Sequence, residues 1–199
     1  MSTDVYESIR WDNIQHLIAF HCAPVLSGIK ISNLVVTCES GYKDACRILG
    51  ETKIEMYVLS RLKGKMVLLL FDREKLSEYL AEPKCREFLS KTGQYEQITD
   101  VDMCLKRLAL KYSEYALGKA PFPHELGIVL GYPVEDVIGF MANEGQNYIL
   151  SGYWKVYHKA DKAKAIFRAY DDCTESMMRA LISGESLCDA VKNCSISYV

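Results

Sequence analysis

Nothing in this chain of 199 residues stays apolar for long. The longest uninterrupted run, MVLLLF at 66–71, falls far short of the roughly 20 residues that cross a bilayer as a helix. The opening residues, MSTDVYESIRWDN, place no basic cluster ahead of an apolar core, so they do not read as a signal peptide. A cytoplasmic protein with no membrane partner is the expectation. An excess of one charge is lacking as well. A formal net charge of −2 gives no general attraction for nucleic acid or acidic lipid.

No C-x-x-C occurs among the eight cysteines, at 22, 38, 46, 85, 104, 173, 188 and 194. That removes the zinc-ribbon and thioredoxin signatures, and no metal ligand set is assigned. A reducing compartment keeps such thiols unpaired. Several stand in apolar surroundings, Cys46 before Ile48-Leu49 and Cys104 before Leu105, where cysteine serves as a small hydrophobe. Also missing are G-x-G-x-x-G, the P-loop, C-x-x-C-H and G-x-S-x-G, so the cofactor is left unknown. Internal repeats and a Pro/Gly/Ser-rich linker are absent too. The chain reads as one domain over 1–199 with a helical tail over 174–199.

What is present is a series of short amphipathic segments. Residues 4–20 carry an apolar helical stripe of Ile9, Ile14, Leu17, Ile18 and Phe20, with Thr3 or Asp4 as cap. Pro24 is expected to end that helix, leaving His21 and Cys22 in a non-helical link. ISNLVVTC (31–38) reads as a buried strand, and Tyr42–Leu49 as a helix closed by Gly50. Ile54, Met56 and Val58 alternate with polar neighbours, and Lys63-Gly64 then turns the chain into 65–71, which predicts a β-hairpin. Helices follow over 75–80, capped by Asp72, and over 83–91, opened by Pro83 and ended by Thr92-Gly93. A longer helix over 99–117 is capped by Asp100 or Thr99. NYILSGYWKVY (147–157) predicts a second small hairpin, and a helix from Asp161 runs toward Ile182, stopped by Gly184. A short helix at most occupies the last fifteen residues. The fold class is α+β: helix-rich, around a small and mostly antiparallel β-sheet.

Residues 118–157 concentrate half of the twelve glycines and three of the five prolines. Pro123 and Pro133 suit helix starts, and Gly131 and Gly145 suit helix ends, which makes this stretch a compact helical corner. Between Ala120 and Gly152 the charged residues are Glu125, Glu135, Asp136 and Glu144, with no Lys or Arg. A DNA-reading helix-turn-helix is therefore rejected. His124-Glu125 does not begin a zincin, because position 128 is Ile where a second histidine is required.

FPHELGIVLGYPVEDVIGFMANEGQNYILSGYWKVY (122–157) resembles the signature of an uncharacterised domain family. That family is common in clostridia and related anaerobic Firmicutes and is catalogued only as a domain of unknown function. HCAPVLSGIKISNL (21–34) resembles its N-terminal signature, with Val25 where Thr is expected. The resemblance spans about residues 10–173. It implies a cytosolic anaerobe protein with two segments of interest, and no reaction.

Two chemistries compete for those segments. In the first, Cys22 is a nucleophile, redox thiol or soft-metal ligand, partnered by His21 or, through the fold, by His124 with Glu125. In the second, aromatic side chains wall a pocket for a flat small molecule, such as haem or flavin, or for a partner peptide. Phe122, Tyr132, Phe140, Tyr148, Tyr153, Trp154 and Tyr157 form that group, with Lys155 or Lys30 meeting an anionic group. Ligand contacts are expected from His21, Lys30, Asn33, Tyr132, Tyr153, Trp154 and Lys155. Both readings have the two segments line a common cleft. A small-molecule, metal or protein-binding accessory module is favoured, with a thiol-dependent enzyme or redox protein as the alternative.

Overall fold

A computed structural model describes residues 1–92, 95 and 100–196, without the side chains of 194–196. The expected ends at Gly93 and Thr99 lie outside the described residues. Elements follow in chain order as α1 (Thr3–Glu7), α2 (Ile14–Leu26), β1 (Ser32–Thr37), α3 (Glu39–Leu49), β2 (Glu55–Leu62) and β3 (Lys65–Phe71). Then come α4 (Arg73–Ala81), α5 (Pro83–Lys91), α6 (Val101–Ala116), α7 (Glu125–Val129) and α8 (Val134–Ala142). The chain continues through β4 (Leu150–Ser151), β5 (Lys155–Val156), α9 (Ala160–Ile182) and α10 (Leu187–Ile196). The fold is α+β, helix-rich around small antiparallel sheets. It divides into two compact units: residues 1–72 with 169–199, and residues 73–168.

The first unit is built on a three-stranded sheet of order β1-β3-β2, antiparallel throughout. Lys63 and Gly64 both have positive φ, 51° and 76°. That is the type I′ geometry whose twist matches a two-residue hairpin. Met66, Leu68 and Leu70 on one face of β3 join a core with Ile18, Cys22 and Leu26 of α2 and Met177 and Met178 of α9. Leu69 and Phe71 on the other face are buried too. A strand buried on both faces explains why this segment is a continuous apolar run with no alternation.

The expected helix over 4–20 is two helices. Asn13 caps the second, its side chain accepting from the Gln15 N–H at 2.9 Å. Pro24 does not end α2, which continues to Leu26. Ile18, Ala19, Cys22, Ala23, Val25 and Leu26 are all buried there. Burying a large apolar side chain contributes roughly 1.5–3 kcal/mol, so this face outweighs the roughly 3 kcal/mol that an internal proline costs. The stop comes at Gly28 (φ 75°). There Gly28 N–H donates to Val25 O and Ile29 N–H to Pro24 O, the paired bonds of a Schellman end. His21 and Cys22 are accordingly helical.

The second unit packs α4 to α8, the β4–β5 hairpin and α9 up to Arg168. Asp100 caps α6 by accepting from Met103 N–H at 2.8 Å. Gly131 (φ 74°) ends α7, with Tyr132 N–H donating to Gly127 O, and Pro133 opens α8.

Candidate functional site

In the first unit, the segment 21–34 folds into one buried polar cluster. Lys30 is buried, and its Nζ donates to Ser32 O at 2.7 Å and to Asn33 Oδ1 at 3.0 Å. Asn33 Nδ2 in turn donates to His21 O. Burial pushes the Lys30 amine down to about 8. The Cys22 thiol is fully buried, and desolvation pushes it up to about 12 even though the Lys30 charge pulls the other way. Burial also lowers His21, whose ring packs edge-to-face on Phe20 at 5.0 Å. His21, Cys22, Lys30 and Asn33 are thus neighbours in the fold. The thiol pKa is raised, where a nucleophile or redox thiol would need it lowered, because Cys22 lies inside the helix and inside the core.

In the second unit, the aromatic residues of 122–157 separate into two groups. Tyr132 and Trp154 stack at 5.3 Å, Trp154 meets Phe167 edge-on at 4.6 Å, and Tyr153 packs on Phe167 at 5.6 Å. Phe122, His124 and Phe140 make a separate row at 5.6 and 5.7 Å. Lys155 lies 5.7 Å from the Phe140 ring and 4.8 Å from the Tyr148 ring, while its Nζ donates to Gly145 O at 2.7 Å. Glu125 turns inward to an ion pair with Lys111 and is 3% exposed. His124 and Glu125, adjacent in sequence, therefore point to different surroundings.

Asp136 organises the first group. It is 3% exposed, and it accepts from Trp154 Nε1 at 2.8 Å, Tyr157 N at 2.8 Å and His158 N at 2.9 Å. Three donors on one buried carboxylate hold α8 against the strand that leads into α9. Two glycines permit this closeness. A Cβ on Gly139 would stand 2.6 Å from Tyr157 Cγ, and one on Gly152 would stand 2.3 Å from the Phe167 ring. Tyr79 of α4 closes the arrangement by donating to Tyr132 O at 2.6 Å.

Beside this knot lies a cleft of about 610 Å³. Its apolar wall comes from Pro133, Val134, Trp154, Ala163 and Ile166. Its polar rim comes from α4–α5, from the starts of α8 and α9, and from His158 and Lys159 between β5 and α9. Of the residues anticipated as ligand contacts, Trp154 lines this cleft and Tyr132 backs it. Tyr153 and Lys155 belong to neighbouring packing. The pattern of the sequence did not single out Asp136, His158, Lys159 or Lys162. Asp136 carries the ordinary signature of a first-turn helix acid, and its three donors lie 18 to 22 residues away.

Among the described residues, no group of three or more His, Cys, Asp or Glu side chains is placed to hold a metal ion. No helix among them is long and apolar enough to cross a membrane.

These features define an α+β protein with a built, ligand-sized cleft and a separate buried lysine–asparagine cluster. The chain belongs to a protein family of unknown function, DUF3793, which matches residues 18–191 and so runs through both units. No curated protein and no solved structure matches it.

Proposed function

We propose that this chain is a binding module: a cytosolic accessory protein of a clostridial-type anaerobe that takes a small molecule in the cleft of the second unit. One observation carries the reading. Two separate parts of the long signature, Gly131 with Pro133 and Trp154, which stacks on Tyr132, come together in the lining of a cleft within the usual 300–1,000 Å³ of small-ligand sites. The glycines that a Cβ would force apart make that wall possible. A small molecule is favoured over a metal, because ligating side chains do not converge among the described residues. The alternative, thiol chemistry at Cys22, has Lys30 nearby in its favour. Against it stand full burial and a thiol pushed up to about 12, which leave little nucleophilic thiolate at neutral pH.

The two tryptophans, Trp11 and Trp154, supply a direct test. In the full-length Trp11→Phe protein, Trp154 is the single indole and reports on the cleft wall. Screening a fragment library by its emission, with backbone amide NMR to map hits, is expected to give saturable shifts centred on Gly131–Asp136 and Trp154–Lys162. Hits that map only elsewhere, or none at all, would refute the cleft as the binding site.

A further inference from the structure

Resting on that reading, we infer that the cleft selects an amphipathic anion: a carboxylate or phosphate carried on an aromatic or branched aliphatic body. The charged groups of the cleft wall carry the inference. Asp136 is buried, and its oxygens are occupied by the Trp154 indole and two backbone N–H groups. Its carboxylate also lies 3.7 Å from His158 Nδ1. Glu135 is ion-paired with Lys84, whose hydrogen bond, aided by the charges of Lys84 and Lys159, holds its carboxyl below the ordinary range. Glu82 is the remaining acid of the lining, which also holds Lys159, Lys162 and His158. Among the described residues, neither Lys159 nor Lys162 forms an ion pair. The cleft therefore sets two exposed lysine ammonium groups, neither in an ion pair among the described residues, beside a mostly apolar wall.

The backbone supports the assignment. The first turns of α8 and α9 both line the cleft, through Val134–Asp136 and through Lys162 and Ala163. Their N-terminal ends add partial positive charge on the same side. In the same lining, Trp154, Pro133, Val134 and Ile166 offer a surface suited to a ring or branched chain.

The test uses the full-length Trp11→Phe protein and five probes: phenyl phosphate, phenylacetate, inorganic phosphate, benzyl alcohol and phenethylamine. The aromatic anions are expected to shift Trp154 emission saturably, with benzyl alcohol roughly tenfold weaker or worse and phenethylamine without effect. Comparing phenyl phosphate with phenylacetate distinguishes the two anionic groups, and inorganic phosphate shows whether the ring is needed. In Lys159→Gln/Lys162→Gln, affinity for the aromatic anions should fall roughly tenfold or more while that for benzyl alcohol holds, as expected when charge-assisted bonds are removed. Saturable binding of benzyl alcohol or phenethylamine in preference to the anions, or anion affinity unchanged in the double variant, would overturn the anion assignment and leave the cleft a binding site. Silence from all five probes would sink both.

Discussion

Lys30 holds an amine inside the first unit, and that placement has a pH signature. Its folded pKa, about 8, lies below the ordinary 10.5. Between those values the unfolded chain binds more protons than the folded one, so this residue's contribution to stability rises with pH. Cys22 acts in the opposite sense. With its folded value raised from 9 to about 12, it costs stability as pH climbs above 9. From pH 8 to 9 the lysine contribution is the larger of the two, and that of Cys22 is carried by both chains compared. Urea denaturation of the native chain and of Lys30→Met should show the native unfolding free energy gaining about 1 kcal/mol on the variant across that unit. A constant difference would mean that the amine is not buried as described. The thiols make a second prediction at this scale. Cys38 is exposed, and the Ser40 hydroxyl, 3.1 Å away, together with the Gly41 backbone holds its pKa below the ordinary range. Site-resolved alkylation at pH 8 should label Cys38 about a thousandfold faster than Cys22, following the ratio of their thiolate fractions. Comparable rates would restore Cys22 as a reactive thiol.

At the scale of elements, the corner formed by α7, α8 and the β4–β5 hairpin depends on close approach. Gly139 lies within α8, where alanine is intrinsically better by up to about 1 kcal/mol. Yet its Cβ would meet the Tyr157 ring at 2.6 to 2.9 Å. Overpacking of this kind costs about 1–3 kcal/mol, so Gly139→Ala should be net destabilising by about 1–2 kcal/mol in chemical denaturation. Combining it with Tyr157→Ala should recover part of that loss, with a coupling of about 0.5 kcal/mol or more. Strict additivity would show that the contact does not govern the packing. Most of these elements were legible beforehand. Proline at 83, glycine at 64, 131 and 184, and the changes from period two to period 3.6 all act over a few residues, and the helices and hairpins stand where those signals place them. Pro24 is the instructive exception. A local rule ends the helix before that proline, at Phe20, and a buried apolar face carries it on to Leu26.

For the whole molecule, local signals carry much less. The sequence presents seven aromatic residues around a set of glycines as one group. The fold sends Tyr132, Tyr153 and Trp154 to one packing group and Phe122, Phe140 and Tyr148 to another. α9 begins in the second unit and ends in the first, which no composition shift announces. What the sequence determined by itself is the succession of elements, the antiparallel hairpins and the α+β class, because periodicity, turn chemistry and caps depend on residues within about four positions of one another. Only the tertiary structure decided that Asp136 is a buried junction, that Cys22 is a core side chain, and that Lys159 and Lys162 stand at the rim of a cleft. Each of those outcomes depends on which distant groups exclude water from a side chain, and desolvation leaves no mark in the local order of residues.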